Sequence, residues 1–180
     1  MDPIELVTER LVMRQISLQD RDFYLRINRL PQVMHYIDAV RDDAECDRRL
    51  AERVPLWQPS CGQWLTLVVR LRDSGEPIGL HGFRLEFAPQ GPAELGYMFM
   101  PDSQGQGLAQ EATRRVVQFA FDDCGVHKVS ATVTGGNQAS ARLLEKLGFR
   151  LEGRLRAQFR LHDQWYDDLK YGLLADERQP

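Results

Sequence analysis

The stretch Glu94-Leu95-Gly96-Tyr97-Met98-Phe99-Met100-Pro101-Asp102-Ser103-Gln104-Gly105-Gln106-Gly107-Leu108-Ala109-Gln110 reads as a strand, a polar glycine-bearing loop and the opening of a helix. Leu95, Tyr97 and Phe99 alternate with Glu94, Gly96 and Met98, the period of an extended chain. Beyond the loop, Ala109, Ala112, Val116, Phe119 and Ala120 recur at helical spacing, and Cys124-Gly125 supplies the stop. Glycines at 105 and 107 let main-chain N–H groups approach a ligand closely, and the first helical turn offers unpaired N–H groups with partial positive charge. A phosphate would fit there without a lysine. A plain β-to-α turn that needs glycine only for its geometry reads the same way. A Walker loop is discounted, because no Lys-Ser or Lys-Thr follows. A dinucleotide fingerprint is discounted too: Gln110 stands where its third glycine would, and the loop follows the fourth strand rather than the first.

Downstream, Val129, Ala131 and Val133 alternate as a strand. Asn137-Gln138-Ala139-Ser140 then opens a helix over about 138–147, with Leu143, Leu144 and Leu147 inward and Gly148 at its end. Asn137 holds the helix-cap position, which by itself explains the residue, and Ser140 lies one turn in, able to face the same cleft. Residues 151–161 alternate as a strand, His162-Asp163-Gln164 turns, and 165–173 form the last strand. Upstream come a strand at 11–14, a helix started by Ser17-Leu18-Gln19-Asp20 and stopped by Pro31, and a second helix over about 43–54. Strands at 64–71 and 78–87 follow, with turns at Asp73-Ser74-Gly75 and Pro89-Gln90-Gly91-Pro92. The order β-α-α-β-β-β-α-β-α-β-β predicts a mixed α/β (α+β) sheet with helices on its faces.

At 180 residues without a linker or repeat, residues 1–180 read as a single domain. Lys and Arg total 23 against 26 Asp and Glu, a net charge of −3, without the basic excess of a nucleic-acid binder. The longest apolar run, near Trp64 to Val69, is far shorter than a membrane span, so no membrane association is expected. Met1-Asp2-Pro3-Ile4-Glu5 has neither the basic nor the apolar segment of a signal peptide. Three cysteines, Cys46, Cys61 and Cys124, form no CxxC pair, so a reducing, cytoplasmic setting is expected. His35, His81, His127 and His162 show no metal-ligand spacing, Cys124-x-x-His127 lacks a third partner, and no metal is expected. Trp165 and Tyr166 read as packing residues.

Glu94-Leu95-Gly96-Tyr97, Gln104-x-x-Gly107-x-Ala109, Asn137-x-x-Ser140 and Leu147-Gly148-Phe149, in register over nearly the whole chain, resemble the GNAT superfamily of N-acetyltransferases. Glu152-Gly153-Arg154-Leu155-Arg156 with Gln164-Trp165-Tyr166-Asp167-Asp168 resembles its Rim-type branch, the ribosomal-protein alanine acetyltransferases. The resemblance implies a splayed, mostly antiparallel seven-stranded sheet in one acyl-CoA N-acyltransferase domain. It implies acetyl-CoA as co-substrate, with the Gln104, Gly105, Gln106, Gly107, Leu108, Ala109, Gln110 backbone around the diphosphate. Tyr97, Met98 and Phe99 would offer their strand edge to the pantetheine amides, and Asn137 would bond the same arm. Arg114 and Arg115 would reach a farther phosphate or form a solvated face. Met34, His35, Tyr36 and Trp57 would line the acceptor side, and a homodimer is a candidate because dimers are common in the family.

Acyl transfer needs a neutral amine, so a lysine-like group of pKa about 10.4 must lose a proton. Glu94 is the candidate base, directly or through water, against the reading of an exposed strand-end carboxylate. The carbonyl oxygen gains negative charge, for which a backbone N–H near 98–100 is the candidate donor. Ser140 is the candidate acid towards the departing sulfur, as in the Rim-type branch, since the tyrosine many members carry four residues later is Leu144 here. Gln106 stands where a basic residue is frequent, removing one charged phosphate contact. The expected acceptor is a protein N-terminal amine or a small amine. Alternatives from the same residues are a non-catalytic acyl-CoA sensor and a longer donor such as succinyl-CoA.

Overall fold

The computed structural model describes residues 2–86 and 91–178. The sheet has eight strands: β1 (Glu5–Val7), β2 (Leu11–Gln15), β3 (Leu65–Leu71), β4 (Pro77–Leu85), β5 (Ala93–Phe99), β6 (Lys128–Thr134), β7 (Arg150–Leu161) and β8 (Gln164–Leu174). Five helices accompany them: α1 (Arg21–Asn28), α2 (Pro31–Met34), α3 (Asp43–Arg53), α4 (Leu108–Asp122) and α5 (Gln138–Lys146). The strand order is β1-β2-β3-β4-β5-β6-β8-β7. Every neighbour is antiparallel except β5 and β6, which run parallel. The mixed architecture agrees with expectation, and the expected elements follow one another in the expected order, with β1 and α2 added. The seven-stranded count is corrected to eight: Glu5–Val7 folds back on β2, a strand too short for alternation to reveal. Pro31 also does more than end a helix. It opens the one-turn α2, where its missing N–H has no cost. The expected turn at Pro89 and Gln90 and the strand end at Phe87 lie outside the described residues.

Two cores sandwich the sheet. On one face α4 lays Leu108, Ala112, Val116 and Ala120 against Met13, Leu67, Val69 and Phe83, with Leu144 of α5 alongside. Ala112 and Ala120 are fully buried, and their small side chains bring the helix close to the strands. On the other face Phe23, Tyr24 and Ile27 of α1 and Cys46 and Leu50 of α3 pack on Val68 and Leu80, a cross-strand pair of β3 and β4. β3 is therefore apolar on both faces, and its alternation is hidden by continuous burial. At the start of α1 the Asp20 carboxylate accepts from the Ser17 N–H and hydroxyl at 2.9 Å and pairs with Arg70 at 2.6 Å. Trp165, read as a packing residue, is instead 60% exposed on β8.

Candidate active site

The parallel pair is where the sheet opens. β5 and β6 pair at Ala93↔Val129, Glu94↔Ser130 and Leu95↔Ala131 and then part. Gly96, Tyr97, Met98 and Phe99 continue pairing only with β4, and Thr132, Val133 and Thr134 only with β8. One edge of Gly96–Phe99 thus presents main-chain N–H and C=O groups to a cavity of about 1000 Å³ lined from both strands. Tyr97, Met98 and Phe99 all line it.

At one end of this cavity lies the start of α4. Gly105 and Gly107 take left-handed φ values of 75° and 76°, and Gly107 caps α4 with no side-chain acceptor for the first-turn N–H groups. Gln104, Gly105, Gly107, Leu108, Ala109 and Gln110 line the cavity, so the free donors face a common space. Gln106 is not brought to this lining. Its side-chain amide donates back to Asp102 O at 2.8 Å, and its main-chain carbonyl accepts from Arg10 Nη1 at 3.0 Å. Behind the loop, Glu111 accepts from Thr8 Oγ1 and Arg10 Nε, both at 2.6 Å, and from Arg10 N at 2.9 Å. Burial raises the Glu111 pKa, but these donors outweigh it and hold the carboxyl below its usual range. This clamp from the β1–β2 turn fixes the loop, and no local pattern in the sequence announces it. Arg114 and Arg115 are not among the cavity-lining residues; they line an adjoining depression beside Thr8 and Arg10 that shares Gly107 and Gln110 with the cavity.

The other wall begins with Asn137. Its Oδ1 accepts from Ser140 N at 3.2 Å, so the cap leaves the Nδ2 hydrogens for the cavity that Asn137 lines. The Ser140 hydroxyl sits 2.7 Å from Tyr97 Oη across the opened sheet. Burial chiefly, countered by the Ser140 bond, pushes Tyr97 up to about 12, so its phenol stays protonated. The Tyr97–Ser140 bond was not legible in the sequence, because it spans β5 and α5.

His81, on β4 beside Tyr97, is 2% exposed and bonds Thr113 Oγ1 through Nε2 at 2.9 Å. Thr113 spends its hydroxyl proton on Ala109 O at 2.7 Å, so Nε2 carries the ring hydrogen. Burial lowers His81 to about 3 and keeps it neutral.

Glu94 lies on the paired side of the opening, 3.0 Å from Arg84, and is not among the cavity-lining residues. Among the described lining residues Asp168 is the only carboxylate. It stands opposite Thr134, with its side chain 16% exposed and Lys170 Nζ at 3.6 Å. Of the four acceptor-side residues expected, Tyr36 lines the cavity, while Met34 and Trp57 are buried in the cores and His35 lies outside the lining. The Cys124 thiol is pushed up to about 11, by burial first and Asp123 second, so it stays protonated. Among the described residues no group of three or more His, Cys, Asp or Glu is placed to hold a metal, and no helix is long and apolar enough to cross a membrane.

A main-chain cradle for a diphosphate, an open strand edge for amides and a hydroxyl pair near the opening can hold an extended thioester donor. Comparisons agree. Residues 10–150 match the family model described as "Acetyltransferase (GNAT) domain". The uncharacterized N-acetyltransferase YoaA of Bacillus subtilis (strain 168) is 31% identical over 172 residues, covering 94% of this chain and 96% of that protein. The [Ribosomal protein uS5]-alanine N-acetyltransferase of Escherichia coli (strain K12) is 27% identical over 191 residues, 98% of this chain and 94% of that one. A GNAT-family acetyltransferase structure from Bacillus anthracis superposes with a TM-score of 0.85 at 23% identity, covering 97% of this chain and all 100% of that one. With a family model spanning most of its length and a full-length relative above 30% identity, this chain is an acyltransferase that belongs to the GNAT acetyltransferase family.

Proposed function

We propose that the protein transfers acetyl from acetyl-CoA to a primary amine by direct attack in a ternary complex, in the manner of the Rim-type branch. The observation that carries the reading is the parting of β5 and β6 after Leu95↔Ala131, directly beside an uncapped helix start. The first-turn donors of α4 bind the diphosphate, and the free edge of Gly96–Phe99 pairs with the donor's amides as an added strand would. Asn137 adds a side-chain amide. Both reactants are then held in line, which supplies much of the rate. A backbone N–H near Met98 stabilises the charge that develops on the carbonyl oxygen. Ser140 gives its proton to the departing sulfur while accepting one bond from the protonated Tyr97 phenol.

Two carboxylates compete for the ammonium proton. Glu94, held by Arg84, would act only through water; Asp168 lines the cavity itself, and we assign it the role. An N-terminal amine, with pKa of about 7.7–8.0 against about 10.4 for lysine, needs the weaker base, which supports a peptide terminus as acceptor. The activity that names the E. coli relative points the same way. A cytoplasmic location and a homodimer belong to the same proposal; molar mass by light scattering checks the latter, and a monomer at every concentration removes it.

Calorimetry with acetyl-CoA, succinyl-CoA and CoA, followed by thiol release with peptide and small amines, tests the function. Expected is micromolar donor binding with release favouring acetyl. Donor binding without thiol release from any acceptor would instead mark a sensor module. Gly107→Val, which forces a β-branched residue into φ 76°, should weaken donor binding at least about tenfold while the far-ultraviolet spectrum stays native. Unchanged affinity would remove the cradle.

A further inference from the structure

Facing the opened end of β5 from the α1–α3 side, the cavity carries Tyr24, Asn28, Arg41, Arg53, Trp64 and Thr66. Arg53 donates to Thr66 Oγ1 at 2.8 Å, and its guanidinium stands 5.8 Å from the centre of the Trp64 ring. That ring rests on Gly96, where a Cβ would come within 2.9 Å of it. Gly96 is the first residue of β5 past its last pair with β6, so Arg53 is anchored at the point where the sheet opens.

Among the described residues Arg53 has no carboxylate at ion-pair distance. Burial is the main influence on it and lowers its pKa; the nearby charged groups Arg49 and Arg41 repel it, and the Tyr24 phenol is the neighbour that favours its charge. Arg41 stands in the same half with its side chain 11% exposed. It donates to Asn28 Oδ1 and, at 2.9 Å, to Asp38, while its buried Nε has no partner. Of the two guanidiniums in this half of the cavity, Arg41 thus has Asp38 and Arg53 has no carboxylate among the described residues. Arg53 gains modestly from its place in the last turn of α3 and from the Trp64 ring. Arg53 is part-buried, and a guanidinium withdrawn from water without a carboxylate partner is left under-compensated. An anion bound at this half of the cavity would supply the missing partner.

We propose that this half of the cavity binds a carboxylate carried by the acceptor, so that the substrate is an amine with an acid group on the same molecule. The inference rests on the acyltransferase reading above. Asp168, on β8 next to β6 across the opening, supplies the complementary charge for the ammonium end. The carboxylate has two sources, an acidic side chain next to a peptide N-terminus or a small amino acid, and both present the same group to Arg53.

Equilibrium binding to the full chain in the presence of CoA, read by calorimetry and Trp fluorescence, separates the outcomes. One probe pair is 4-aminobutyrate and 4-aminobutanamide; the other is the amidated peptides Ala-Glu-Ala-Ala and Ala-Gln-Ala-Ala. We expect the acidic member of one pair to bind at least about tenfold more tightly than its neutral partner, the pair identifying the source. Arg53→Gln should abolish the preference and Arg53→Lys retain part of it. Equal binding within both pairs by the wild-type chain overturns the proposal without recourse to any variant. So does a preference that survives in a folded Arg53→Gln protein, or no binding of any probe at millimolar concentration. Thiol release is scored separately. Turnover of both members of each pair at equal rates sinks the anion site and leaves acyl transfer standing. Charge-selective binding with no thiol release from any amine does the reverse.

Discussion

The proton donor proposed for the departing thiolate is a hydroxyl 2.7 Å from a phenol that stays protonated. Ser140→Ala should lower kcat about ten- to a hundredfold in single-turnover acetylation, because a thiolate leaves tolerably without help, while the donor Kd moves less than about threefold. Tyr97→Phe, which keeps the ring and removes the bond to Ser140, should lower kcat by a smaller factor; a larger one would make the phenol itself the donor. The base is tested the same way. Asp168→Asn should cost at least about tenfold in kcat/KM at neutral pH, and Glu94→Gln less than about threefold. Reversal of that order returns the proton to Glu94 through water. Glu94 was nameable from the sequence because it precedes Leu95 in a recognisable strand. Asp168 was not, because Asp167 and Asp168 look alike until the β6–β8 register assigns one to each face.

Elements place these residues, and their ends are where sequence reading was strongest. The glycine loop that opens α4, Asn137 as the cap of α5 and the helical run from Ala112 to Ala120 are all local features, and each stands where the residues put it. The β7–β8 hairpin carries a local conflict that can be measured. His162 and Asp163 fill its two-residue turn with φ values of 49° and 62°, the left-handed pair that Asn-Gly suits far better. The double change His162→Asn and Asp163→Gly should raise stability by about 0.5–1 kcal/mol in urea unfolding, since the lost Arg160–Asp163 pair at 3.0 Å is exposed and worth little. A loss of stability would mean that the ion pair, not the backbone, holds this turn.

Across the whole molecule, folding couples to pH through His81. Its folded pKa of about 3 lies below the ordinary 6.5, so the unfolded chain binds a proton that the native core refuses. The contribution is complete above pH 6.5 and is lost as pH falls towards 3, at up to about 1.4 kcal/mol per unit. Between pH 7.5 and 5, before most carboxylates protonate, unfolding free energy should drop by about 2 kcal/mol from this residue. His81→Gln, less stable at neutral pH, should show a flatter profile there; the same slope in both proteins would refute the assignment. By itself the sequence determined the order of the longer elements, the glycine loop and the Asn137 cap, because these depend on neighbours within a turn or two of chain. Tertiary structure alone decided three things. One is the eighth strand, made by a hairpin too short to show a period. Another is the Arg10–Glu111 clamp behind the cradle. The last is the cavity itself, in which Ser140 meets Tyr97 and Arg53 stands without an acid partner. Each of the last two joins groups many residues apart, and nothing short of strand register and helix docking fixes which side chains meet.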